Sequence, residues 1–563
     1  MLQFLHRPFE GLAASFGASP DEGESHLPSR YNRTWLLTKD GSIWGLPVKI
    51  IVSFLLSYPL AGVLKRIPDS KPQYKNLFII GMSIFYMVGL FDLWRGLATL
   101  FFSAAGAFCI AKYLQKSSYM PWVGFVFLMG HMSFSHIRRQ IANNPSAVDI
   151  TGAQMVMVMK LSAFCWNVAD GQLPSDGLSE HQKDRALSAL PSPLDYAAYV
   201  LFFPSLFAGP AFDYVEYRRW IDTSMFDVPA EVDSAKRPPV RKKRKIPRSG
   251  TPATFKAIQG LCWIGLFVAL SARFGYEQLV DESYMQYGFL RRVWIMYMAN
   301  VVARLKYYGV WSLTEGSCIL AGLGYNGVDP VTGKVSWNRL QNINPWMVET
   351  AQNPREYLAG WNMNTNNWLR NYVYLRVTPR GKKPGFRASM TTFATSALWH
   401  GFHPGYYLSF VLASLVQTAA KNFRRLVRPF FLDPVSGDPR PGKKYYDAVS
   451  YVATQSTFAF VTTPFLLLTL KSSIHAWSCV YFYALVWTLA CMLFFASPGK
   501  GILKRELEKN SGQPRPKLVR SISVESLKGK EPILGISKDL EQDMTEAVEE
   551  IRAEVQARQR KMS

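Results

Sequence analysis

From residue 46 to residue 497 the chain is a succession of apolar runs, too long and too many for one soluble core. Wound as a helix, about 20 apolar residues cross the ~30 Å hydrocarbon core of a bilayer. Candidate runs are Pro47–Leu64, Leu77–Phe91, Trp94–Leu114, Pro121–Ile137, Ile150–Val168, Asp195–Phe212, Ala257–Leu270, Val293–Ala303, Tyr307–Leu323, Ala388–Ala420, Tyr451–Leu470 and Ala476–Ala496. They predict an all-α polytopic membrane protein of about 11 transmembrane helices, with re-entrant or amphipathic helices between them. Lipid offers no partner to a bare backbone amide, so irregular segments at that depth must be covered by protein or line a cavity.

The mean hydropathy is near zero, which hides how strongly the polar residues are segregated. They gather in a leader (residues 1–45), in short loops of the membrane body (46–497) and in a charged tail (498–563) expected in the cytosol. The leader has no compact apolar region before a cleavage site, so the first membrane helix is expected to do the targeting. Asn32 begins a sequon that is used only if this end is lumenal. The tail carries a segment of helical residue types, 538–560, and RSISVES (520–526), either a kinase target or a plain linker.

The net charge of +24 sits mostly in short loops: Arg237–Arg248, Leu375–Arg387 and Lys421–Pro429. A nucleic-acid partner needs a basic soluble face instead. Short basic loops mark the cytosolic side and meet anionic lipid heads. The six cysteines lie in or beside apolar runs without a CxxC pair, so neither a disulfide framework nor a metal site is implied.

One apolar run contains an ionisable ring. Two basic loops bracket Ala388–Ala420, and if both are cytosolic the run must enter and return. Gly401, Pro404 and Gly405 supply the turn. The first arm, Ala388–Trp399, reaches only about 18 Å as a helix. His400 is therefore expected inside the membrane, at the tip of an incomplete crossing, where an ionisable residue marks function by default. His403, beyond the turn, reads as structural. The HxxH spacing is no zinc signature, because Gly and Pro break the helix that would align two ligands. His131 and His136, beside Arg138 and Arg139, read as interfacial. Glu315, Lys160, Asp149 and Asp170 read either as helix-to-helix pairs or as cavity polars. Trp337, Asn338 and Glu349 are candidates to shape the cavity.

Upstream, Ala359–Val377 holds Asn362, Asn364, Asn366, Asn367 and Asn371, with Trp361, Trp368 and Tyr372 at helical spacing. Asparagine is costly in lipid. The segment predicts one amphipathic helix with an amide-lined face, lying at the interface or lining a polar cavity beside His400.

WNMNTNNWLRNYVYLR followed by SALWHGFHPGYY resembles the membrane-bound O-acyltransferase (MBOAT) family, in its lysophospholipid acyltransferase branch, and the long charged tail resembles fungal members. DITGAQMVMVMKLSAFCWNVADG, YVLFFPSLFAGPAFDYVEYRRW and YYGVWSLTEGSCILAGLGYNG carry the same resemblance, which spans roughly residues 50–497. It implies a core with an internal tunnel, an endoplasmic reticulum membrane location, and acyl transfer from acyl-CoA to lysophospholipids, with no other cofactor and no metal. It also implies that Asn362 and His400 are the catalytic pair. Trp361, Asn366, Trp368, Tyr372 and Trp399 would then contact substrate. Arg376, Arg380, Lys382 and Lys383 would receive the CoA phosphates, although the same loop also reads as a topology signal.

The chemistry agrees with that pair. A thioester is already activated by a thiol leaving group of pKa about 8.5. The alcohol is the weak partner and needs a base, for which a neutral imidazole serves. An amide can donate to the carbonyl as charge develops, or orient the ring. Neither a GxSxG elbow nor a reactive cysteine setting occurs, so direct attack in a ternary complex is expected. Two rival readings remain: a family member acting on a sterol, diacylglycerol or protein, and a lipid transporter without chemistry.

Overall fold

The computed structural model describes residues 46–142, 149–229, 232, 245–378, 386–434 and 436–511. The leader with Asn32, most of the Arg237–Arg248 run, Arg380, Lys382, Lys383 and the tail beyond 511 lie outside them. Among the described residues all regular structure is helical apart from two isolated antiparallel bridges, Val328 with Val335 and Leu432 with Pro439. The chain divides into two compact units. The first runs to Gly275 and resumes at Val302–Ile343; the second comprises Tyr276–Val301 and everything from Asn344.

The first unit is built on α1 (Leu46–Leu64), α2 (Pro72–Ile84), α3 (Trp94–Tyr113), α4 (Met120–Ala142), α5 (Thr151–Asp170), α6 (Glu180–Arg185), α7 (Pro193–Val200), α8 (Tyr214–Ile221) and α9 (Gly250–Phe274). Its centre is α5, of which all but Gly152, Met155 and Ala169 are buried. A helix surrounded by protein need not be apolar. Lys160 donates to the Tyr199 carbonyl, and Asp170 accepts from Gln182. Lipid tails are as apolar as leucine, so packing and interhelical hydrogen bonds, rather than the hydrophobic effect, hold such helices together.

The helix α10 (Phe289–Ala321) runs 33 residues, its first part counted with the second unit and the remainder with the first. The sequence suggested two runs, Val293–Ala303 and Tyr307–Leu323. Arg304 and Lys306 looked like a boundary, but both are buried and no Gly or Pro stops the helix there. Within the first unit Gly260 of α9 and Gly309 of α10 meet back to back: a Cβ on either would lie about 3 Å from the other's carbonyl oxygen.

The second unit adds α11 (Pro345–Glu349), α12 (Pro354–Gly360), α13 (Met363–Leu369), α14 (Phe386–His400), α15 (Pro404–Asn422), α16 (Lys443–Leu467), α17 (Leu470–Cys479), α18 (Tyr483–Ala496) and α19 (Gly499–Ser511). Its core packs Phe460, Trp477, Val480, Met296 and Ala299 together. Trp477 lies flat on Phe460 at 4.7 Å and donates Nε1–H to the Phe460 carbonyl. Asn300 ties α10 to α16 by donating to the Ala459 carbonyl and to Thr463 Oγ1.

Two helices among the described residues are long and apolar enough by themselves to cross a membrane, Trp94–Tyr113 and Gly250–Val280. The pair Leu470–Cys479 and Tyr483–Ala496, bent by 81°, makes a third if it counts as one span. Other apolar runs are interrupted. Asp195–Phe212 is α-helical only through α7, and a short 3-10 turn, Phe203–Ser205, follows. Leu77–Phe91 ends in a π-turn, Phe85–Leu90. Ala476–Ala496 is broken where Tyr481 and Phe482 adopt left-handed backbone.

Candidate active site

The asparagine-rich segment is two helices, correcting the expectation of one. α12 begins with Asn353, whose Oδ1 accepts from the Glu356 amide, and has Pro354 at its first position. It stops at Gly360. Trp361 is extended, and Asn362 turns the chain with φ 42° and ψ 55° before α13 starts. Asparagine is among the few L-residues that visit this left-handed region readily. An asparagine at a helix start normally spends its side chain on a first-turn amide, but Asn362 makes no such bond. Partly buried, its carboxamide is left for another use.

The neighbour Asn366 supplies what holds the break. Its Nδ2 donates to the carbonyls of Leu358 and Trp361, both at 2.7 Å, and its own amide donates to the Asn362 carbonyl at 3.0 Å. Both side-chain N–H groups are thus spent on the backbone. Asn366 fastens the turn, and the donors expected to meet substrate are already committed.

His400 is the last residue of α14, which extends Phe386–His400. At about 22 Å it is shorter than the ~30 Å hydrocarbon core of a bilayer. Gly401 ends it with φ 122°, closing its amide onto the Ala397 and Leu398 carbonyls. His403 then precedes α15 without a side-chain capping bond, and Pro404 takes the first position. Gly405 has no room for a side chain. A Cβ there would collide with the Pro464 carbonyl of α16, and its amide donates to Leu468 O at 2.8 Å. The turn behind His400 is thereby pinned to the proline-containing end of α16.

Aromatic rings wall the partly buried imidazole. Trp399 lies edge-on at 4.7 Å and Phe465 at 4.9 Å; Phe410 is near-parallel at 5.4 Å and Tyr406 tilted at 5.6 Å. Trp368 of α13 stands 6.2 Å from Trp399 of α14. The helix that follows Asn362 therefore touches the helix that ends in His400. Tyr372 is buried in a π-turn (Arg370–Tyr374), with the Arg376 guanidinium 5.8 Å from its ring centre. Arg376 also donates Nε–H to the Asn371 carbonyl. Sequence reasoning missed Tyr406, Phe410 and Phe465. The first two recur four apart on α15 and face one way, which spacing could have shown. Phe465 arrives only by tertiary packing.

The charged residues expected in or beside spans are paired in the first unit. Glu315 meets Lys256 at 3.0 Å, and Asp149 meets Arg139 at 3.4 Å while accepting from the Thr151 amide. Glu315 and Lys256 link α10 to α9, while Asp149 stands just before α5. His136, expected at the interface, is buried.

Residues 142–463 match the family described as MBOAT, membrane-bound O-acyltransferase. That is more than half of the chain and includes both Asn362 and His400. The chain belongs to the membrane-bound O-acyltransferase family. Among its relatives, the lysophospholipid acyltransferase of Schizosaccharomyces pombe is 44% identical over 90% of this chain and 92% of that protein. The lysophospholipid acyltransferase of Saccharomyces cerevisiae is 41% identical over 82% of this chain and 76% of its own length. The mouse membrane-bound glycerophospholipid O-acyltransferase 1 is 32% identical over 66% and 73%. Both turns of the site in this MBOAT chain, the one at Asn362 and the one that holds Gly401 and Gly405, lie inside the matched region.

Proposed function

We propose that this protein is a lysophospholipid acyltransferase. It transfers an acyl chain from acyl-CoA to the free hydroxyl, at sn-2, of lysophospholipids such as lysophosphatidylcholine, lysophosphatidylethanolamine and lysophosphatidic acid, in phospholipid synthesis and remodelling. The two yeast relatives, at 41–44% identity over most of the chain, are named lysophospholipid acyltransferases. The observation that carries the reading is one junction. Asn362 turns the chain with its carboxamide uncapped, and the helix it starts packs through Trp368 and Trp399 against the helix that ends in His400.

In this reading the neutral His400 ring takes the proton of the acceptor hydroxyl as its oxygen attacks the thioester carbon. The C–S bond then breaks, and the CoA sulfur leaves with the proton that the ring returns. Asn362 donates to the carbonyl oxygen as it gains charge, or holds the ring in register. No acyl-enzyme forms. The aromatic wall excludes water, which would otherwise compete as acceptor. Arg376, with Arg380, Lys382 and Lys383, meets the CoA phosphates. The membrane body comprises about 11 transmembrane helices around an internal tunnel in the endoplasmic reticulum membrane, so that two lipid-soluble chains reach one polar point. No metal and no further cofactor takes part.

The test is a panel of acceptors against labelled oleoyl-CoA, run with purified wild type and His400→Ala in parallel. Transfer to lysophospholipids that disappears in the variant is expected. Transfer to sterol or diacylglycerol alone would move the protein to another branch, and near-normal turnover of the variant would remove His400 as the base.

A further inference from the structure

The first unit holds a cavity of about 480 Å³ that none of the acyl-transfer residues lines. It lies where α3 begins and α4 ends, two helix termini that an antiparallel pair brings to one face. Its floor is fixed: His131 Nδ1 is bonded by the buried Ser103 hydroxyl at 2.8 Å and by the Gln154 amide at 3.2 Å. Three arginines line it, Arg95, Arg138 and Arg139. Arg139 is matched by Asp149 at 3.4 Å. Arg95 and Arg138 are exposed and have no acidic partner among the described residues. α3 also starts without a side-chain cap, and its first internal backbone bond is Leu97 N–H to Leu93 O. The amides of Trp94, Arg95 and Gly96 therefore have no acceptor inside the helix. Two unpaired guanidinia beside an uncapped helix start suit a phosphate.

Two carboxylates line the same cavity, Asp149, which is spent on Arg139, and Asp92. Asp92 sits in left-handed backbone, φ 55°, with its carboxylate unpaired among the described residues. Trp94, two residues on and 63% exposed, lines the same cavity. A carboxylate next to an indole is how proteins hold ammonium and quaternary ammonium groups. A bare phosphate gains nothing from either, and is repelled by Asp92.

We propose that this cavity binds a zwitterionic phosphodiester headgroup, the phosphate on Arg95, Arg138 and the α3 amides, and the choline or ethanolamine ammonium on Asp92 and Trp94. The volume suits a headgroup, since small-molecule sites run from about 300 to 1,000 Å³. The headgroup comes either from a membrane phospholipid or from a lysophospholipid, which share it. The site stands independently of the acyl-transfer reading, because its readout is binding and not turnover.

The experiment titrates the purified full chain in neutral maltoside micelles, with occupancy read by native mass spectrometry. Probes are dihexanoylphosphatidylcholine, hexanoyl-lysophosphatidylcholine, dihexanoylphosphatidate and inorganic phosphate. Arg95→Gln with Arg138→Gln is expected to weaken dihexanoylphosphatidylcholine roughly tenfold or more, the worth of a charge-assisted bond. Asp92→Asn and Trp94→Ala should weaken the choline lipid and leave or strengthen the phosphatidate. These two variants keep the test sharp if the double arginine variant does not accumulate. Binding of the diacyl lipid assigns the source to the membrane, and binding of the lysolipid alone assigns it to the acceptor pool. The proposal is overturned by equal affinity in wild type and variants, or by inorganic phosphate displacing the choline lipid at equal concentration.

Discussion

Lys160 and His400 both place an ionisable side chain within an apolar run, and the structure treats them in opposite ways. Lys160, on α5 of the first unit, is buried, its ammonium donating to the Tyr199 carbonyl and lying 4.4 and 4.2 Å from the Tyr199 and Phe212 rings. Tyr199 returns a bond from its hydroxyl to the Lys160 carbonyl at 3.1 Å. That is a closed circuit with no opening for a substrate. His400, in the second unit, ends a helix beside a glycine turn, is only partly buried, and is walled by rings. A satisfied cation braces the fold, whereas a ring left reachable at a helix tip can exchange a proton. Lying in an apolar run does not separate the two; the closure of the surroundings does.

The sharpest way to break this contrast is at His400. His400→Ala is expected to lower acyl transfer by about 10²–10⁴-fold with the protein still accumulating; turnover within a few-fold of wild type would place the ring among the structural residues. Next comes Asn362. Substituting alanine mixes two effects, since a left-handed alanine costs roughly 1–2 kcal/mol. Asn362→Gly keeps the turn and deletes only the amide, and should cost about 10²-fold in turnover with an unchanged unfolding temperature. If glycine restores full activity where alanine does not, the residue matters for its backbone alone.

Smaller effects belong to the supporting residues. Asn366→Ala removes two side-chain bonds to carbonyls at the break. About 1–3 kcal/mol of stability should go with them, together with a turnover loss smaller than that of Asn362→Gly. Lys160→Met should lower thermal stability by about 1–3 kcal/mol, because the Tyr199 carbonyl loses its partner, while turnover per folded molecule stays within about twofold. Abolished turnover in a well-folded Lys160→Met protein would erase the contrast between the two units.

Much of the site was legible before folding was considered. His400, the turn after it and the return through Pro404 follow from helix length and from the residues that stop helices. The asparagine-rich segment announced a polar purpose. The break at Asn362 was not legible: five asparagines with aromatic residues at helical spacing read as one continuous helix, and nothing local says which of them takes the left-handed turn. The part Asn366 plays in fastening the turn was hidden for the same reason, since its donors are spent on carbonyls that exist only because the break does. The continuity of α10 was hidden too. Arg304 and Lys306 look like a loop until neighbouring helices bury them.

By itself, then, the sequence determined that this chain is helical, that it belongs in a membrane, and that one imidazole stands at the end of a short helix before a turn. Those are properties of runs, spacings and stop residues along the chain. Only the tertiary structure decided which polar groups are spent and which remain available, because satisfaction is a matter between helices: Lys160 is closed off by a carbonyl 39 residues away, while Phe465, far along the chain, comes to rest 4.9 Å from His400.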